Sequence, residues 1–242
     1  YSIFDKKYKK ILITGGLGFI GSALIFRLLN NTNCKIFNID KSSHRNDFLS
    51  VNYQFSIFGD SRYKLFNYDI KDKKYLKKIF DETDPDIVFH LAAESHVDRS
   101  IQSPINFLES NIIGTFNLLE DTLEHFKNLP IERKSNFKFL HISTDEVFGS
   151  LGNLGLFNEN SNYKPKSPYS ATKAASDHLV DSWFHTFGLP TLISNCSNNY
   201  GPRQFPDKLI PSIIMNAINS KSIPIYGNGL NIRDWLFVED HI

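Results

Sequence analysis

The sequence lacks the marks of a metalloprotein, a secreted scaffold or a membrane span. Its two cysteines, Cys34 and Cys196, lie far apart and share no metal-type spacing. Neither an HExxH pattern nor a Cys/His cluster occurs, so no metal site is expected. Two isolated thiols in such a chain point to reduced side chains and a cytoplasmic location. No apolar stretch approaches the roughly 20 residues needed to cross a bilayer. The opening YSIFDKKYKK has no uninterrupted apolar core of the secretory type. An excess of one charge is absent too: 27 Lys and Arg stand against 26 Asp and Glu, a net charge of +1. That balance gives no reason to expect nucleic acid or an anionic membrane as a partner. The basic runs at Lys6–Lys10 and Lys71–Lys78 read as solvated surface. No internal repeat and no low-complexity tract appears.

What is present is the balance of a globular protein: 242 residues, 41% apolar and 22% charged. That length suits one large domain, or one domain and part of a second. Short β-rich apolar runs alternate with longer amphipathic stretches. Strands are predicted at Lys10–Thr14, Lys35–Asp40, Lys64–Tyr68, Asp86–Ala92, Phe137–Thr144 and Thr191–Asn195. Helices are predicted at Phe19–Asn30, Lys73–Asp81, Ile105–Phe126 and Ser170–Phe187. Continuous apolar strands joined through helices imply a parallel sheet covered on both faces, the doubly wound α/β architecture. Ligands of such sheets bind beyond the carboxyl ends of the strands. After Tyr200 the prolines Pro202, Pro206, Pro211 and Pro224, with Gly227-Asn228-Gly229, read as loops and short elements over that edge. We therefore expect a dinucleotide-binding domain over 1–200 and the start of a substrate-binding region over 201–242, which stops without a closing segment.

The first predicted strand runs directly into Gly15-Gly16-Leu17-Gly18-Phe19-Ile20-Gly21. Such a turn needs positive backbone dihedrals and lets the main chain approach a pyrophosphate without a Cβ in the way. The helix that follows offers free N–H groups and its positive end to phosphate. Asp40, 19 residues after Gly21, ends the next strand, where a carboxylate binds ribose hydroxyls and repels a 2′-phosphate. That favours NAD, while Lys41 and Arg45 leave NADP open. Asp69-Ile70 follows the third strand, where an adenine ring would lie, and Ala92 ends the fourth.

Tyr169 and Lys173 lie four apart at the start of a predicted helix, so both project from one face. A phenol is a poor base at neutral pH, but an ammonium one turn away stabilises the phenolate. Thr144 ends the strand that precedes them, and its hydroxyl can bind the same substrate oxygen. The bland reading of Asp145 and Glu146 is a solvated acidic turn.

Together TGGLGFIGS, Asp40, HLAAESHVDRS, STDEVFG and YSATKAASD resemble the extended short-chain dehydrogenases from end to end of the chain. Within them, Thr144-Asp145-Glu146 is similar to the signature of the dTDP-glucose 4,6-dehydratases. The resemblance implies a lyase that carries NAD and acts on a nucleotide-sugar, dTDP-glucose. It gives Tyr169 and Lys173 to the oxidation at carbon 4, Glu146 to the base at carbon 5, and Asp145 to the acid at the leaving 6-hydroxyl. It places Ser95, Asn198, Lys208, Leu209, Pro224, Tyr226 and Arg233 on the nucleotide-sugar. It also implies a homodimer paired through Ile105–Phe126 and Ser170–Phe187, with Phe107, Ile112, Phe116, Leu119 and Trp183 as apolar positions. His96 reads as a histidine packed in or behind the site, with no evident catalytic partner in the sequence, and Phe148 stands where the family more often has tyrosine. A UDP-glucose 4,6-dehydratase and a catalytically impaired NAD-binding fragment or regulator of the same fold stay open.

Overall fold

The structure is a computed structural model that describes residues 3–41, 57–151, 155–225 and 228–242. Its central strand shows how the sequence pattern yields a sheet covered on both faces. In β1 (Lys10–Thr14) successive side chains alternate, so Ile11 and Ile13 face one side and Leu12 the other. All three are fully buried. Ile11 and Ile13 share a core with Leu24, Ile25, Leu28 and Leu29 of helix α1 (Phe19–Asn31). Leu12 joins a second core with side chains from three helices, α2 (Lys73–Thr83), α3 (Gly114–Asn128) and α4 (Pro168–Phe187).

Strands β1, β2 (Lys35–Asp40), β3 (Tyr63–Asn67), β4 (Ile87–His90), β5 (Lys138–Thr144) and β6 (Thr191–Cys196) form one parallel sheet in the order β3-β2-β1-β4-β5-β6. The chain winds outward from β1 to β3, restarts beside β1 with β4, and winds outward again to β6. The order reverses between β1 and β4, where the crevice of such sheets opens. This is the doubly wound fold that the sequence predicts. Differences lie at the edges. Strand β4 stops at His90, two residues before Ala92, because its neighbour β1 ends at Thr14 opposite His90.

The predicted helix Ile105–Phe126 is interrupted. An α-helical turn at Pro104–Phe107 passes into a π-helical turn over Leu108–Ile113, and α3 follows at Gly114. Phe107, Leu119 and Trp183, expected at a subunit interface, are buried within this chain's own core. Phe116 packs edge-on to Trp183, with ring centroids 5.9 Å apart.

Beyond Tyr200 the chain holds more regular structure than expected. Strand β7 (Asn198–Tyr200) pairs in parallel with β8 (Trp235–Phe237), and a helix α5 spans Leu209–Ile218. Pro211 is the third residue of α5, where the main-chain N–H has no helical partner to lose. A proline read from sequence as a breaker therefore fits inside the helix. The exposed apolar residues of α5 carry no burial period.

Candidate active site

Two strand ends meet at the reversal point. Gly15 follows β1 with φ +75°, and a Cβ there would fall 2.6 Å from the Ala92 nitrogen just beyond β4. Only glycine lets the turn close this tightly. Gly18 differs: a Cβ there would meet only the Gly15 oxygen, at 3.2 Å. It lines a cleft of about 800 Å³ along the strand ends, so the missing side chain leaves room on the cleft side. Asp40 sits at the end of β2 and accepts from the Leu17 N–H at 2.8 Å. Burial pushes its carboxyl up to about 6, against that bond and the Lys41 charge. These features fit a dinucleotide: a bare glycine turn, a helix start, and a half-buried carboxyl one strand away.

At the other end of the cleft β5 stops at Thr144, and a single 3₁₀ turn, Asp145–Phe148, follows. Thr144 caps that turn by accepting the Glu146 N–H at 3.2 Å. Its hydroxyl donates to Asp145 Oδ1 at 3.3 Å and also bonds the Tyr169 phenol. Phe148, without a hydroxyl, anchors the turn by packing on Phe157 and Tyr163. Helix α4 is started by a capping box between Ser167 and Ser170, with Pro168 at its first turn, and Gly188 ends it in the left-handed region. Those caps set where the helix begins, and hence that Tyr169 and Lys173 face the cleft together.

Burial dominates the electrostatics. It raises the Asp145 carboxyl, against bonds to Thr144 and the charge of Arg233. It also raises Glu146, with the Asp145 charge adding and Arg233 and Lys208 opposing. The Tyr169 phenol is pushed up by burial and by the Glu146 charge. Lys173 is drawn down to about 8 by the same desolvation.

The cleft gathers most of the residues singled out from sequence. Gly15, Gly18, Phe19, Ile20, Gly21, Asp40, Asp69, Ile70 and Ala92 line one half; Ser95, Thr144, Asp145, Glu146, Tyr169, Lys173, Asn198 and Lys208 line the other. Leu209, Pro224 and Arg233 do not line it, although the Arg233 charge reaches both acids. Tyr226 and Arg45 lie outside the described residues.

The family model described as GDP-mannose 4,6 dehydratase matches residues 12–242. The dTDP-glucose 4,6-dehydratase of Neisseria meningitidis serogroup B is 51% identical over 234 residues, covering 96% of this chain and 65% of that relative. A crystal structure of the Bacillus anthracis dTDP-glucose 4,6-dehydratase with NAD superposes with a TM-score of 0.82 at 38% identity, covering 96% of this chain and 69% of that one. The chain belongs to the dTDP-glucose 4,6-dehydratase family. It spans 65% of the length of the Neisseria relative. The fold is shared more widely: the UDP-glucuronic acid 4-epimerase of Bacillus cereus gives a TM-score of 0.84 at 32% identity, over 96% of this chain and 70% of that one. What sets a dehydratase apart from such a neighbour must therefore lie in side chains, not in the sheet.

Several contacts in and behind the cleft of this dehydratase-family chain escaped the sequence reading. Lys41, weighed as an opening for a 2′-phosphate, instead bridges Asp69 at 3.3 Å and Glu94 at 3.2 Å. Asn111, presented by the π turn, clamps the main chain of Glu94 from both sides and bonds Thr172. His96 stands beside Asp207, with Nε2 3.2 Å from Oδ2. His90 and His141 stand inside apolar strands, fully buried. A histidine in the middle of an apolar run was the one available signal for them. Among the described residues no group of His, Cys, Asp and Glu is arranged to hold a metal ion.

Proposed function

We propose that the protein carrying this chain dehydrates dTDP-glucose to dTDP-4-keto-6-deoxyglucose with bound NAD. One observation carries the reading: two adjacent carboxyls, Asp145 and Glu146, both raised by burial, share a cleft with Tyr169, Lys173 and Thr144. An oxidation or epimerisation at carbon 4 needs only the last three. A β-elimination needs an acid and a base as well.

In this reading the glycine turn, Asp40, Asp69, Ile70 and Ala92 hold the dinucleotide. Bound NAD supplies the acceptor and later the donor of a hydride. Tyr169 takes the proton of the sugar 4-hydroxyl, with Thr144 on the same oxygen. Lys173 is the cation in reach that can bring the buried phenol down toward working pH. Glu146 removes the proton on carbon 5, made acidic by the neighbouring ketone, and later returns it. Asp145, whose protonated form burial favours, donates to the departing 6-hydroxyl. Ser95, Asn198, Lys208, Leu209, Pro224, Tyr226 and Arg233 face the nucleotide-sugar, with Arg233 and Lys208 meeting its phosphates. Residues 1–200 are then the NAD-binding domain, and 201–242 the start of the nucleotide-sugar-binding region.

Two copies are proposed to pair through the exposed apolar side chains of the interrupted helix and of α4, including Ile105, Leu108, Phe184 and Phe187. Among the described residues no helix is long and apolar enough to cross a membrane. The two unpaired thiols fit a cytoplasmic protein.

The test follows substrate mass after incubation with NAD and dTDP-glucose, and separately UDP-glucose. Loss of one water from dTDP-glucose with no net NADH is expected. Water loss from UDP-glucose alone would move the substrate to that sugar. NADH accumulation, or both sugars left intact by protein that binds NAD, would overturn the dehydratase reading.

A further inference from the structure

Behind Tyr169 and Lys173 lies a buried polar cluster that the proposed reaction leaves without a task. Lys173 Nζ donates to the Ile142 carbonyl at 2.8 Å and lies 3.1 Å from His141 Nε2. That same ring nitrogen stands 3.2 Å from Asp177 Oδ1. Asp177 is one turn beyond Lys173 on α4, and its Oδ2 accepts from Ser143 Oγ at 2.7 Å, Tyr163 Oη at 2.9 Å and Asn195 Nδ2 at 3.3 Å. His141 and Asp177 are each 1% exposed and Lys173 3%. Charges buried this deeply persist only in pairs.

The imidazole sits between the two charges with a single nitrogen. While Lys173 is an ammonium, Nε2 accepts its N–H, and the ring proton resides on Nδ1, which has no partner. Once Lys173 is neutral, Nε2–H can donate to Asp177 instead. The position of one proton on His141 thus follows the charge of the lysine. Other titratable groups face the cluster. His90 of β4 has its ring 5.0 Å from that of His141, and its two nitrogens are taken by Thr14 and Thr115. Cys196 comes from β6, with burial holding its thiol up at about 11. Tyr163 comes from the segment before α4, and Asp145 and Glu146 lie on the Tyr169 side. Among the described carboxylates, Asp177 is the one in contact with the histidine that Lys173 touches.

We propose that Asp177, acting through His141, is the buried counter-ion that sets the charge of Lys173 and thereby the ionisation of Tyr169. This rests on the reading of Tyr169 and Lys173 as the acid–base pair. His141 and Asp177 are positioning residues: neither lines the cleft. Two directions support the geometry. Burial and the Lys173 charge hold His141 at about 4, a neutral ring. Burial works against the Asp177 carboxylate, yet the His141 contact, the Lys173 charge and the Ser143 bond outweigh it and leave its pKa below the ordinary value.

Phenolate formation at Tyr169 is to be followed in the NAD-loaded protein by ultraviolet absorbance, against a Tyr169→Phe reference. Asp177→Asn removes the counter-charge, so Lys173 gives up its proton more readily and the Tyr169 midpoint rises, by about one pH unit. Tyr163→Phe removes a donor from Asp177 and leaves more of its charge for His141, so the midpoint moves the opposite way, by less. The alkaline limb of the kcat profile follows Lys173, falling in Asp177→Asn and rising in Tyr163→Phe. A structural role alone would lower kcat and Tm with both midpoints in place, and that result, or shifts of the same sign, would overturn the proposal. If Asp177→Asn fails to fold, Tyr163→Phe and Ser143→Ala decide: both must lower the midpoint. The absorbance needs no turnover, so intact sugars would sink the dehydratase reading and leave this measurement standing.

Discussion

Two regions of the chain meet the cleft in different ways. Up to Tyr200 the residues that line it stand at the ends of buried strands: Ile11, Leu12 and Ile13 have no exposure at all. After Tyr200 most of the described apolar side chains stay outside, with Ile218 at 74% and Ile232 at 90% exposure, while Val238 near the end is buried. The first region therefore holds its groups in place by packing, while the second acts on the acids through charge, as Arg233 does from outside the cleft wall. Loss of a group in the first region should stop chemistry. Loss of one in the second should weaken binding.

The sharpest way to break that contrast is Tyr169→Phe, which should lower kcat about a thousandfold, within the range for a positioned acid–base group, and leave NAD binding intact. Weakened NAD binding instead, by isothermal titration, would put the phenol in a structural role. Next, Glu146→Gln should cost about a hundredfold in turnover. Because it blocks only the elimination, adding dTDP-glucose should produce lasting NADH fluorescence; silence there would take carbon 5 chemistry away from Glu146. Gly15→Ala strains a positive-φ turn against the Ala92 main chain, and denaturant unfolding should show a loss of about 2–3 kcal/mol. On the other side of the comparison, Arg233→Ala should raise KM for the nucleotide-sugar about tenfold with a smaller change in kcat. The same change lifts the opposition to raised carboxyls, so the acid limb of the profile should move to higher pH. An effect confined to kcat would erase the distinction between the two regions.

The smallest effect is expected far from the cleft. Burial pushes the Asp121 carboxyl up to about 6, and one of its oxygens is buried without a partner. A raised carboxyl favours folding while protonated, and that contribution is lost as pH rises through about 6. Asp121→Asn should therefore raise stability by about 1 kcal/mol at pH well above that value, a few degrees in Tm, and change little near the ordinary carboxyl pKa. An equal gain at both pH values would point to helix propensity instead.

Much of this architecture was readable from residues alone because its signals are local. An apolar strand running into Gly15-Gly16-Leu17-Gly18 announces its turn, and the amphipathic stretch Ser170–Phe187 announces α4, which starts two residues earlier, at Pro168. Strand β3 lies one residue earlier than expected, since Tyr63 is buried and its register opposite Ile36 is set by β2. What stayed hidden depends on tertiary approach. Nothing in the neighbours of His141 in sequence names Asp177, 36 positions on, or says that a lysine will share its nitrogen. Lys41 looked like a free cation until the ends of β3 and β4 brought Asp69 and Glu94 beside it. Helix α5 was masked by Pro211, a breaker everywhere except in the first turn.

The π turn at Leu108–Ile113 acts as a phase shifter. One extra residue in a helix rotates everything beyond it by about 100° relative to an unbroken screw. Upstream of the turn Ile105 points outward and Phe107 inward, and Leu108, its first residue, is exposed; downstream, Leu118 and Leu119 point into the core. A single helical wheel drawn through the whole stretch would mix these faces. Deleting one residue there would bring the two halves into step, and either the outward row or the core row would then face the wrong way.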